Sequence, residues 1–252
     1  MNKKIILKDI AKELGVSITT VSKVINKHPD ISNATRKRVL SYIKKIEYIP
    51  NFTAQNLRKK VTKFVGLIIS DNSNPFYAEV IRNAEREIVS RNYHTIIFNN
   101  DENPEKEVNF IKELISLNVA GIIISPARGN IESIKILKQY EIPYVLCNRY
   151  INKKRDYYVI ADDFKAGFIA TEYLLKSRSK KIIFLNGFKG ISCARDRLLG
   201  HEAALKENNL LVIKNQFYED IINSSDSYNI MEKILTEHKP PFAILCISDF
   251  VA

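Results

Sequence analysis

Ser17, Ile18, Thr19, Thr20, Ser22, Lys23 and Asn26 fall within one ten-residue window, and each is short, polar or extended. Groups of this kind on one side of a helix enter a DNA major groove without steric conflict and meet base edges and phosphates. The charge around them suits that chemistry. Residues 1–60 carry fourteen Lys or Arg against only Asp9, Glu13, Asp30 and Glu47, a local net of +10. The other 192 residues are nearly balanced at +1, within a formal total of +11. A basic head on a neutral body points to a polyanion-binding module joined to something else. Catalytic patterns are missing by comparison. His28, His94, His201 and His238 are dispersed, and neither a Gly-x-Ser-x-Gly elbow nor a phosphate-binding Gly-x-x-x-x-Gly-Lys loop occurs. Asp162 and Asp163 are adjacent carboxylates, but neighbours on an extended segment point in opposite directions. Cys147, Cys193 and Cys246 are odd in number and scattered, which argues against a disulfide framework or structural zinc. No enzyme, cofactor or metal is expected.

The elements that must position the polar window follow from its flanks. Leu7, Ile10, Ala11 and Leu14 recur at helical spacing, and Gly15 stands where a left-handed cap would end that helix. Ser17 can cap a second helix with Val21, Val24 and Ile25 as its buried face. Ser32 can cap a third, with Val39, Leu40, Ile43 and Ile46 on its apolar stripe. Three short helices around one small core make a minimal helix-turn-helix DNA-binding unit. Pro50 then ends the third helix, and Asn51 can cap a short one running to about residue 60. A helix that short forms only against a partner or DNA.

The chain has 252 residues, of which 45% are hydrophobic and 27% charged, an ordinary globular composition. No apolar run is long enough to span a bilayer. The N-terminal Lys3 and Lys4 are followed too soon by Asp9, Lys12 and Glu13 for a signal peptide, so a cytoplasmic protein is expected. After Lys63 apolar runs alternate with helical stretches. Strands are expected at 64–69, 94–98, 120–125, 143–147, 158–161, 181–185 and 243–247. Helices are expected at about 77–91, 104–117, 130–140, 163–176, 195–207 and 227–237. That alternation predicts parallel sheets with helical crossovers and a ligand site beyond the strand carboxyl ends.

The run from Leu7 to Asn26, with Ile31-Ser32, Thr35-Arg36, Tyr48 to Asn51 and Ala54 to Leu57, strongly resembles the lactose-repressor (LacI/GalR) family of bacterial transcription regulators. The body resembles the family too. Ile68 to Tyr77 looks like its first ligand loop, Asp162-Asp163 with Ala166-Gly167 like the crossing into a second lobe, and Arg197 with Gly200 like its ligand-facing arginine motif. Ser248-Asp249 stands where the family usually has Asn-Asp. The resemblance implies an α/β fold class: an N-terminal three-helix helix-turn-helix domain (1–48) and a hinge helix (49–60), then a two-lobed periplasmic-binding-protein-like effector domain (61–161 and 162–252).

On that resemblance Ile18, Thr19 and Lys23 read bases, while Ser17, Thr20, Ser22, Asn26, Ser32, Thr35 and Asn51 position the DNA backbone. Ala54 belongs to the hinge contact, and Leu57 of each subunit wedges into the minor groove. Asn74, Phe76, Arg149, Asp162, Arg197 and Ser248 are the implied effector contacts. The partners are a pseudo-palindromic double-stranded operator, a second copy of the chain, and a small molecule of sugar or sugar-phosphate type, with no membrane. Four features depart from the family pattern. Lys23 replaces a usual arginine, Arg178-Ser179 a usual Gly-His, and Ile222 an aromatic that stacks on ligand. The chain also stops at Ala252, short of the family's last strands, so a C-terminally incomplete effector domain is expected. The alternatives are a truncated repressor that binds DNA without effector response, and a small-molecule-binding module without DNA control.

Overall fold

The computed structural model describes residues 5–48, 62–177 and 181–252. The chain divides into two compact units, 1–59 and 60–252. In the first, helices α1 (Leu7–Glu13), α2 (Ile18–Ile25) and α3 (Asn33–Lys45) enclose Ile10, Ala11, Val21, Val24 and Val39. Gly15 has φ +59°, and nothing stands near the place a Cβ would occupy. Glycine is needed there for the left-handed turn out of α1 rather than for close packing. Ser17 Oγ accepts from the Thr20 amide at 3.0 Å, and Ser32 Oγ from the Thr35 amide at 3.3 Å, so both predicted caps form. Two α3 guanidiniums also support the unit: Arg38 donates to the Leu14 carbonyl and Arg36 to the His28 carbonyl.

Leu40 departs from expectation. It is 46% exposed, whereas Tyr42, Ile43 and Ile46 complete the core side of α3. One residue on from Val39 is about 100° round the helix, which carries Leu40 off the stripe.

The second unit holds two parallel sheets. The first has order β2-β1-β3-β4-β5, from β1 (Phe64–Ile69), β2 (His94–Asn99), β3 (Gly121–Ile124), β4 (Tyr144–Cys147) and β5 (Tyr158–Val159). Its crossovers are α4 (Pro75–Ser90), α5 (Pro104–Ser116) and α6 (Ile131–Gln139). Helix α7 (Asp163–Leu175) then leads into the second sheet, of order β7-β6-β8. That sheet comprises β6 (Ile182–Leu185), β7 (Phe217–Tyr218) and β8 (Ala243–Cys246), with crossovers α8 (Ser192–Glu207) and α9 (Ser224–Glu237). The two-residue β7 is not among the predicted strands. Among the described residues no helix is long and apolar enough to cross a membrane.

Two internal features hold the ends of these strands in place. Buried Glu107 on α5 accepts from Asn100 Nδ2 and the Ala127 amide at 2.6 Å each, and from Asn130 Nδ2 at 2.8 Å. It therefore ties the loops after β2 and β3 together. Burial raises the Glu107 carboxyl above its ordinary range, and its hydrogen bonds to Ser133, Ala127 and Asn100 oppose that rise. In the other half, α7 crosses α8 with backbone against backbone. A Cβ on Gly167 would strike the Arg197 carbonyl, and one on Gly200 the Phe164 carbonyl. Only glycine permits that approach.

Candidate nucleic-acid interface and ligand cavity

Because Val21 and Val24 face the core, the remaining sides of α2 face outward. Ser17, Ile18, Thr19 and Asn26 are exposed, and Thr20, Ser22 and Lys23 half-buried. Ser32 and Thr35 sit at the amino end of α3, exposed and half-buried respectively. Unpaired amides at a helix amino terminus attract phosphate. Nine of the twelve predicted DNA contacts therefore lie along α2 and its caps or at the amino end of α3; Asn51, Ala54 and Leu57 lie outside the described residues. Lys23 Nζ is 2.5 Å from Asp30 Oδ2, and Asp30 Oδ1 is 3.0 Å from His28 Nδ1. The Lys23 hydrogen bond, opposed by desolvation and aided by the charge of Lys23 and the His28 hydrogen bond, holds the Asp30 carboxyl below its usual range. Sequence reasoning had assigned Asp30 no part; its seven-residue distance from Lys23 offered no local signal.

The second unit contains a cavity of about 510 Å³ lined by loops at the carboxyl ends of β1, β2, β4, β6, β7 and β8. This is where open parallel sheets place ligands, and its volume suits a small molecule. Asn74, Phe76, Arg149, Arg197 and Ser248 all line it. Each is fixed by its own element. Asn74 caps α4 by accepting from the Phe76 amide at 3.0 Å, and the Phe76 ring packs edge-on against Tyr77 at 5.2 Å between centroids. Arg149 is buried and pairs with Glu102 at 2.9 Å, while also donating to the Pro126 carbonyl and Tyr77 hydroxyl. Burial works against its charge, but attraction by Tyr77 and Glu102 and the Glu102 hydrogen bond outweigh that and raise its pKa. Arg197 is placed by the glycine crossing of α7 and α8. Its Nε donates to Asp163 Oδ1 at 2.8 Å and its Nη1 to the Ile247 carbonyl.

Asp162 is the exception among the six predicted effector contacts. It is absent from the cavity lining and caps α7, accepting from the Lys165 amide at 3.0 Å. Its neighbour Asp163, one position into the helix, turns inward and meets Arg197. Burial lifts the Asp163 carboxyl, and Arg197 pulls it back down. Sequence reasoning named no role for Asp163, Glu102, Tyr77 or Phe188. Asp163 had a local signal as half of the adjacent carboxylate pair, and Tyr77 as the last residue of the expected first ligand loop; Glu102 and Phe188 had none.

Ile222, at the position predicted from the family pattern, also lines the cavity and supplies an aliphatic wall. Polar contacts join the two sheets around this site. Arg128, after β3, meets Asp220, after β7, at 2.8 Å and lies over the Phe188 ring. Tyr150 donates to Asp196 from its hydroxyl and to Ser192 Oγ from its amide, both at 2.8 Å.

Comparisons with known proteins agree with these two parts. Residues 6–51 match the family described as bacterial regulatory proteins, lacI family, and residues 65–252 match a periplasmic binding protein domain. The HTH-type transcriptional repressor PurR of Histophilus somni (strain 2336) is 34% identical over 249 residues, covering 98% of this chain and 74% of that protein. Catabolite control protein A of Priestia megaterium is 34% identical over 246 residues, 97% of this chain and 74% of that protein. Among solved structures, the lac repressor dimer bound to operator and the anti-inducer ONPF superposes with a TM-score of 0.86 at 21% identity, covering 99% of this chain and 76% of that one. A CelR–cellobiose complex gives 0.70 at 22% identity, covering 98% and 75%. At those identities the structures speak to the fold. With the sequence relatives, a basic helix-turn-helix head and a body built around a ligand cavity, the chain belongs to the lacI family of bacterial regulatory proteins and is a DNA-binding transcriptional regulator.

Proposed function

We propose that the protein is a cytoplasmic repressor that binds a pseudo-palindromic operator as a homodimer, with operator affinity set by a neutral, sugar-like ligand in the body cavity. In this reading Ile18, Thr19 and Lys23 face base edges. Ser17, Thr20, Ser22, Asn26, Ser32 and Thr35 hold phosphates and fix the register. Asn51, Ala54 and Leu57 act from a hinge at 49–60, between a DNA-binding domain at 1–48 and lobes at 61–161 and 162–252. Leu57 is the minor-groove wedge. Ligand alters the angle between the lobes and hence the spacing of the two hinge segments in the dimer. The family is one of regulators, and no catalytic step is assigned.

The observation that carries the ligand class is the prior commitment of the cavity's charges. Arg149 already faces Glu102, Arg197 faces Asp163, and Asp101 faces Lys106. Asp71 accepts from the Ser73 amide and hydroxyl. A phosphate entering this site would meet three lining carboxylates, Asp71, Asp101 and Glu102, while each of the lining arginines, Arg149 and Arg197, is already paired with a carboxylate. A neutral polyol meets amide, hydroxyl and guanidinium groups held in fixed orientations beside the apolar faces of Phe76 and Ile222.

Calorimetric titration of the full chain with neutral sugars and their phosphates, alongside operator binding, tests this. A neutral sugar should bind and change operator affinity, and its phosphate should bind at least tenfold more weakly, a difference of about 1.4 kcal/mol. Preferential binding of the phosphate, or of a planar purine base alone, would overturn the assignment.

A further inference from the structure

We propose that Asp30 is a positioning residue for DNA sequence recognition: it orients the Lys23 ammonium toward a base edge and draws it away from the neighbouring phosphates. The proposal rests on the reading of Lys23 as a base contact. An arginine reads guanine through a planar fork that sets its own direction, whereas a lysine is a flexible point charge with three rotatable donors. Left alone beside DNA, such an ammonium settles on phosphate, the strongest and least selective acceptor within reach.

The structure supplies a constraint. Asp30 Oδ2 holds Lys23 Nζ at 2.5 Å across seven residues, from the turn that joins α2 to α3. The carboxylate is itself braced by His28 Nδ1 at 3.0 Å, and Arg36 donates to the His28 carbonyl, so the turn is tied to α3. One of the three ammonium donors is engaged by Asp30, which leaves two for adjacent acceptors such as O6 and N7 of guanine. The same carboxylate repels phosphate. It is one of only four acidic residues in the first sixty, and among the described residues the only one of them that contacts a predicted base-reading side chain. Directional restraint and phosphate exclusion together recover part of the selectivity that the arginine fork would provide.

The test is binding-site selection from a random duplex library with the full chain, followed by affinity and salt titrations. Wild type, Lys23→Ala, Asp30→Asn, Asp30→Glu and the Lys23→Ala/Asp30→Asn double variant are compared. Lys23→Ala should flatten the preference at one base position per half-site. Asp30→Asn should weaken preference at that same position by roughly tenfold. It should also tighten binding to non-specific duplex and steepen the salt dependence by about one phosphate contact. Asp30→Glu should restore part of the preference, and Asp30→Asn should have no further effect on selectivity in the Lys23→Ala background.

If Lys23→Ala flattens the position and Asp30→Asn leaves it intact, the positioning role is overturned while the base contact stands. If Lys23→Ala itself changes no position, the base contact fails and the role of Asp30 fails with it. An equal Asp30→Asn effect with and without Lys23 would also overturn the proposal.

Discussion

The head of the protein, residues 5–48, and its body, residues 62–252, use polar side chains in contrasting ways. In the head a core of five buried side chains supports an exposed face whose hydroxyls, amide and ammonium lie on one short helix and its flanks. The body turns its polar groups inward, and its cavity arginines are already paired with Glu102 and Asp163. An exposed basic face gives affinity for any polyanion and depends on solvent ions. Groups fixed inside a cavity give selectivity for shape and hydrogen-bonding pattern, with little dependence on salt. The division suits a regulator, because general attraction to DNA and recognition of a ligand can then change independently.

Salt should separate the two regions most sharply. Raising ionic strength from 50 to 200 mM should weaken DNA binding by about 10³- to 10⁵-fold, the response of six to ten phosphate contacts. Ligand affinity at the cavity should change by about twofold or less over that range. A comparable salt loss at both sites, in parallel fluorescence and calorimetric titrations, would end the contrast.

Next in size is Gly200→Val. The added carbons meet the backbone of α7 rather than a movable side chain. The body should lose about 3 kcal/mol or more, read from urea denaturation, while amide-exchange protection in α1 to α3 stays unchanged. Lys23→Ala acts on the other region. It should cost about 1–3 kcal/mol at one base position per half-site, with calorimetric ligand affinity unaltered.

The smallest expected effect is one of pH. His201 is fully buried between Phe184 and Phe217, with Nδ1 2.7 Å from the Thr171 hydroxyl. Burial depresses its pKa to about 4. The unfolded chain therefore takes up this proton first as pH falls, and the stability supplied by the neutral ring is lost from about pH 6.5 downward. At pH 5.5 this loss amounts to about 1 kcal/mol relative to neutral pH. It should appear in the unfolding of the body and be absent in His201→Phe. Glu107 and Asp163, whose carboxyl pKa values are raised, act in the opposite sense at lower pH. An unchanged pH profile in His201→Phe would assign the loss to other groups.

The same contrast explains what could be read without the structure. The head is local: Ser17, Gly15 and Ser32 perform their roles within a few residues, so spacing identified both caps and the turn. Leu40 was misplaced because an apolar neighbour of Val39 looks like part of a stripe unless the phase of the helix is known. In the body, strands and crossover helices were legible from apolar runs, but β7 is two residues long and too short to show a period. The cavity draws on six separate strand ends. Its partners, Arg149 with Glu102 and Arg197 with Asp163, are 47 and 34 residues apart. Family resemblance placed the arginines there, whereas the choice between Asp162 as cap and Asp163 as partner depends on one 100° step around α7.

The most direct test is titration of a selected operator by wild type, Lys23→Ala and Arg197→Ala, each with and without a neutral sugar that binds the wild type. The account predicts that Lys23→Ala loses base discrimination but keeps ligand affinity. Arg197→Ala should lose ligand binding and the change in operator affinity it causes, while its ligand-free operator affinity remains that of the wild type. Loss of ligand-free operator binding in Arg197→Ala, or a wild-type operator affinity that bound sugar leaves unchanged, would contradict it.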